Sequence, residues 1–135
     1  MANRFIRCLP AVLIALALPL AASAASPDNA ASKQAGIASA HAGMALGATD
    51  LEVAHMHLHH VINCLVGPSG KAFDKQEADP CKGMGNGALV DAKGDAAAEA
   101  RLHMALADAE HGVKAPTLEA AHADAQKALT TLQQK

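Results

Sequence analysis

Between Asp50 and Gly67 the apolar residues fall at Leu51, Ala54, Leu58, Val61, Ile62 and Leu65. At about 100° per residue these six share one face of a helix. The segment from Thr117 onward repeats the pattern with Leu118, Ala121, Ala125, Leu129 and Leu132. From about Asp95 to His111–Gly112, the residues Leu102, Leu106, Ala109 and Val113 define a third inward face. A first helix is predicted from Ser26–Pro27, a cap followed by proline at the first helical position, to about Leu46, with Gly47 as its stop. Thr49–Asp50 caps the second helix and Gly67–Pro68 ends it. Residues 67–93, rich in Gly, Pro and Asp, read as a long loop. The links within each pair of helices are short, so partners run antiparallel. "LEVAH" (Leu51–His55) and "LEAAH" (Leu118–His122) open the second and fourth helices, and "MAL" precedes each, at Met44–Leu46 and Met104–Leu106. The expected fold is all-α: a four-helix bundle of two related antiparallel helical hairpins, joined by a long Cys-bounded loop.

Composition reinforces this reading and thins the core. The sequence contains no Trp or Tyr and only 2 Phe. Alanine is the commonest residue, and β-branched residues are few. Alanine is the best helix former, while strands prefer aromatic and β-branched residues. Each buried alanine removes little apolar area from water, so packing alone stabilises such a bundle modestly.

The first residues change the domain boundaries. Arg4 and Arg7 precede an apolar run from Leu9 to Leu20, and "ASAA" follows. That is the pattern of a secretory signal peptide, here residues 1–24, leaving 25–135 as one helical domain in a periplasmic or secreted protein. No later stretch is long and apolar enough to span a membrane. Removing Arg4 and Arg7 from 11 basic residues leaves 9 against 13 acidic ones, a formal charge of about −4. That balance does not suit nucleic acid, which calls for a basic face. Two cysteines remain, Cys64 and Cys81. In an oxidising compartment they pair as a disulfide, closing a loop of about 16 residues and stabilising by roughly 3 kcal/mol in the chain-entropy model. The alternative keeps Cys64 as a thiolate ligand for a soft ion.

Histidine supplies the candidate chemistry. All 8 lie downstream of the signal segment, nearly all on predicted helices. "EVAHMHLHHVINCLVG" holds four of them. His55 and His59 border one edge of the second helix's apolar face, four residues apart, and His57, His60 and Cys64 border the other. Side chains at such spacings lie about 5–6 Å apart, near enough to share an ion. His41, His103 and His122 border the faces of the other helices, and His41 with Met44, three residues on, makes a nitrogen–sulfur pair suited to copper. The expected metal ligands are thus His41, His55, His57, His59, His60, His103 and His122. Neutral imidazoles are required, so binding is expected to weaken below about pH 6. Two E-x-x-H pairs, Glu52/His55 and Glu119/His122, suggest a di-iron carboxylate bundle, but the first helix offers no Glu. No nucleophile–base constellation stands out, so a binder rather than an enzyme is expected.

The stretches "ASAHAGMALGATDLEVAH" (Ala38–His55) and "ADAEHGVKAPTLEAAHADAQKAL" (Ala107–Leu129) resemble the small exported His-rich metal-binding proteins. Those are four-helix bundles with A-x-x-H-(A/G) units at heptad-like intervals. The resemblance implies a periplasmic protein that binds several divalent or cuprous ions through helix His and acidic side chains. Position by position it implies His41, His55, His111 and His122. The chain departs from the pattern in having fewer His, the Cys-bounded loop and the "HLHH" cluster. The expected function is transition-metal binding for sequestration or delivery, with copper first and nickel, zinc or iron behind it. A homodimer or an unidentified protein is the expected further partner. The rival readings are a non-covalent haem-binding bundle and a purely structural or partner-binding bundle.

Overall fold

The structure, a computed structural model, describes residues 29–134. The signal segment 1–24 and the Ser26–Pro27 helix start lie outside those residues. Five helices run in order: α1 (Ala30–Leu46), α2 (Leu51–Val66), α3 (Ala88–Asp91), α4 (Ala96–Gly112) and α5 (Leu118–Gln133). No strand occurs among the described residues. The predicted third and fourth helices are therefore α4 and α5, and α3 is a single turn inside the long loop.

Caps explain the boundaries. Asp50, Asp95 and Thr117 each accept a hydrogen bond from the backbone N–H three residues on, at Val53, Ala98 and Ala120. Each satisfies one orphan donor of its helix. On α1 that role falls to Asn29, whose Oδ1 accepts from the Ser32 N–H, so the described helix starts three residues after the predicted Ser26 cap.

The four long helices close a square in which α1 packs on α2 and α5, and α4 packs on the same two. The core they share is mostly alanine: Ala38, Ala42, Ala45, Ala54, Ala105, Ala109, Ala121, Ala125 and Ala128 are fully buried. The largest fully buried apolar side chains, Leu58, Val61 and Leu65, all come from α2. The predicted inward face of α2 is the observed one. The α4 face is turned: Leu102, Ala105, Ala109 and Gly112 are buried, while Leu106 and Val113 sit at its edge. His41 also lies at the edge of α1 rather than on its inward face, and Met44 points to solvent.

The loop after α2 is held by specific contacts rather than by bulk. Cys64 and Cys81 form a disulfide with Cα atoms 5.2 Å apart. Buried Asn63 accepts the Asp74 N–H and donates to the carbonyls of Asp74 and Ala78. Buried Gln34 on α1 accepts the Gly87 N–H and donates to Asp91. The two ends of the loop meet at Gly67 and Gly87, both at positive φ. A Cβ on Gly67 would fall 2.0 Å from the Asn86 carbonyl oxygen, so only glycine permits that closure.

Candidate metal centre

The hairpin of α1 and α2 brings three imidazoles together. His57 and His60, three residues apart, stand on the same side of α2, and His41 reaches them from α1. Nδ1 of His41 lies 3.1 Å from Nδ1 of His57 and 3.4 Å from Nδ1 of His60. A donor nitrogen from each of the three falls within 4.8 Å of the others. Two nitrogens on one tetrahedral ion at about 2.0–2.1 Å stand roughly 3.3 Å apart. Two of the three edges already have that length.

The surroundings disfavour the charged form of His41 and His60. Burial first, and then the neighbouring His60 and His57, push the His41 pKa down to about 4. Burial also lowers that of His60, aided by His57 and opposed by Glu77. Protonating one ring beside two others in a half-dry site is costly, whereas a metal ion is bound by the neutral form. The Glu77 carboxylate stands 3.8 Å from Nε2 of His60, the nitrogen facing away from the cluster. An acceptor on that side favours the proton on Nε2 and leaves Nδ1 free to ligate. Glu77 reaches this place because Asn63 and the disulfide, one turn beyond His60, hold the loop there.

The remaining predicted ligands are elsewhere. His55 and His59 each have a partner of their own. Nε2 of His55 bonds the Ala115 carbonyl at 3.1 Å, and Nδ1 of His59 faces Asp74 at 3.3 Å. His122 bonds the Ala48 carbonyl at 3.0 Å through Nε2. His103 is exposed. His111 contacts the Asp124 carboxylate. Cys64 is disulfide-bonded and is not a thiolate ligand. Glu77 and Asp74, on the loop, had no spacing signal to mark them.

The bonds of His55 and His122 are reciprocal. Each sits at the fifth place of its L-E-x-A-H unit and donates to the carbonyl of an alanine in the other hairpin's turn, two residues before the cap. They fix the equivalence of the hairpins at a shift from Leu51 to Leu118, 67 residues. The two "MAL" segments are not equivalent in this register: Met44 corresponds to His111. The same shift places Asp108, Asp124 and Lys127 at the positions of His41, His57 and His60.

Compared with protein-family models, curated proteins and solved structures, the chain matches none of them. Nothing in those comparisons bears on the resemblance to His-rich metal-binding proteins. No helix among the described residues is long and apolar enough to cross a membrane.

Proposed function

We propose that this chain is an exported protein that binds one transition-metal ion, copper foremost, through His41, His57 and His60, and holds it for sequestration or delivery. The observation that supports this reading is the convergence of three imidazole nitrogens from two helices on one point. Imidazole ligands suit copper, zinc and nickel. Three histidines leave one coordination position for a further, more readily displaced donor, which suits an ion that must be passed on. The disulfide and the signal-like first 24 residues support export to an oxidising compartment. A haem pocket is less well supported, because the three rings pack against one another with centroids 4.8–5.7 Å apart and leave no gap for a macrocycle.

Isothermal titration of the purified, disulfide-intact protein with Cu(II), Ni(II) and Zn(II) tests the reading. One ion per chain is expected, and His57→Ala with His60→Ala should remove the binding. Absence of any affinity tighter than about 10 µM for all three ions sinks the proposal.

A further inference from the structure

Three histidines leave one coordination position unfilled, and the second hairpin shows which side chain is placed to fill it. Under the 67-residue shift, Met44 stands where α4 carries His111, and His57 stands where α5 carries Asp124. In the second hairpin that pair is in direct contact across the seam between the helices. A long side chain at this position of the first helix therefore reaches the equivalent of His57. Met44 follows His41 by one turn on the same side of α1. It is 50% exposed and takes no part in the core, as is also true of Met84 and Met104, so its thioether is free to turn toward an ion. His41 and Met44 on α1 face His60 and His57 on α2 as two i, i+3 pairs on antiparallel helices.

We propose that the Met44 thioether is the fourth ligand, so that the bound ion sits in a three-nitrogen, one-sulfur site. This inference rests on the metal-binding role of the three histidines. It adds the identity of the cargo, because a thioether is a soft donor that selects the cuprous ion over zinc or nickel. The unbranched side chain has three rotatable bonds, so it closes over an ion held by the imidazoles without moving either helix. Its exposure gives a partner a route in: displacing the weakest ligand first is the way a held ion is handed on.

The test uses the full, disulfide-intact protein, with Cu(I) supplied anaerobically as its acetonitrile complex against a chromophoric chelator. Zn(II) is titrated in parallel. Met44→Leu keeps size and apolarity at an exposed position, so the fold should be unchanged by circular dichroism and melting temperature. Its Cu(I) affinity should fall at least tenfold while its Zn(II) affinity stays within about twofold. Met44→His places the second hairpin's residue in the first, and should strengthen Zn(II) binding while weakening the preference for Cu(I). Met104→Leu, at another exposed methionine, should change neither metal. X-ray absorption at the copper edge should show a sulfur neighbour in the wild type that is missing in Met44→Leu. Equal Cu(I) affinities for wild type and Met44→Leu, or no sulfur neighbour, overturn the role of Met44 and leave the histidine site standing. Failure of the wild type to bind either ion overturns the reading beneath it.

Discussion

The two hairpins have one backbone frame and opposite electrostatics. In the C-terminal one, Lys127 donates to Asp124 at 2.8 Å and His111 contacts the other carboxylate oxygen. Asp124 is only 3% exposed. Burial works to raise its pKa, but the hydrogen bonds from Lys127 and His111 outweigh it and hold it below the usual carboxylate value. Lys127 is raised in turn, chiefly by its bond to Asp124. That hairpin carries its own cation. At the positions of Asp108, Asp124 and Lys127 the N-terminal hairpin has the imidazoles of His41, His57 and His60, with donor nitrogens turned toward one another, and burial disfavours the charged form of His41 and His60. This half has the geometry for a cation and supplies none. A buried polar cluster must balance its own charge or receive the balance from outside, and the two halves use one alternative each.

The sharpest way to break the comparison is to make the halves alike. Replacing His41, His57 and His60 by Asp, Asp and Lys writes the C-terminal cluster into the N-terminal frame. The fold should survive, and affinity for copper, zinc and nickel by isothermal titration should fall at least 100-fold. The reverse exchange, Asp108→His, Asp124→His and Lys127→His, should raise the stoichiometry from one ion to two. A His41→Asp, His57→Asp, His60→Lys variant that still bound its ion with wild-type affinity would show that the imidazoles are not the ligands.

A second difference is covalent. Cys64 on α2 corresponds to Thr131 on α5, so only the N-terminal hairpin is tied to the connecting loop. Cys64→Ser with Cys81→Ser should cost about 3 kcal/mol in denaturant unfolding, as expected for a loop of this length. Metal affinity should fall as well, by a few-fold, because the loop that presents Glu77 to His60 loses its anchor. The matching change on the other side, Thr131→Ala, should do neither.

Acid should separate the halves in order. His41 has a folded pKa of about 4, below its ordinary 6.5. Below pH 6.5 the unfolded chain therefore takes up a proton that the native protein does not, and stability falls until about pH 4. His60 shifts in the same direction. The loss at these partly buried rings should be on the order of 1 kcal/mol after solvent screening, read as a falling melting temperature of the metal-free protein. Asp124 acts lower down: its depressed pKa stabilises above the ordinary carboxylate value of 3.8 and is lost only as pH drops further. His41→Asn with His60→Asn should remove the upper limb and leave the lower one.

How much of this was legible without coordinates depended on how local each signal was. Asp50 caps α2 as the sequence foretold, and Asp95 and Thr117 cap α4 and α5 where those helices were expected to begin, because a cap is decided within four residues. The core face of α2 was legible because Leu58, Val61, Ile62 and Leu65 mark it. That of α4 was not: in "AAAEARLHMALADAEHG" alanine occurs on every side, and the face one position round, through Ala105 and Gly112, packs more closely. The helix α3 was missed because Gln34 and Asp91, far apart in sequence, hold that turn. His57 and His60 were paired by their spacing on one border of α2, as the cluster has them, but the addition of His41 was hidden, since it depends on how α1 and α2 slide past each other. The i, i+4 pair His55 and His59 was the natural choice on one helix. Those rings instead meet Ala115 and Asp74, groups that no periodicity in α2 announces.

The reciprocal histidines make the smallest and most symmetric prediction. His55 on α2 donates to Ala115 before α5, and His122 on α5 donates to Ala48 before α2. Each links one hairpin to the other's turn, and neither touches the three-histidine cluster. A neutral hydrogen bond of this kind contributes about 0.5–1.5 kcal/mol net. Replacing either ring by alanine should therefore cost about that much, and by nearly equal amounts for His55→Ala and His122→Ala if the halves are equivalent here. The bonds lie on separate turns, so the double variant should be close to the sum of the singles. Metal affinity should be unchanged in all three. A His55→Ala variant that lost metal binding while His122→Ala kept it would place His55 with the ligands and dissolve the distinction between a shared latch and a site found in one half only.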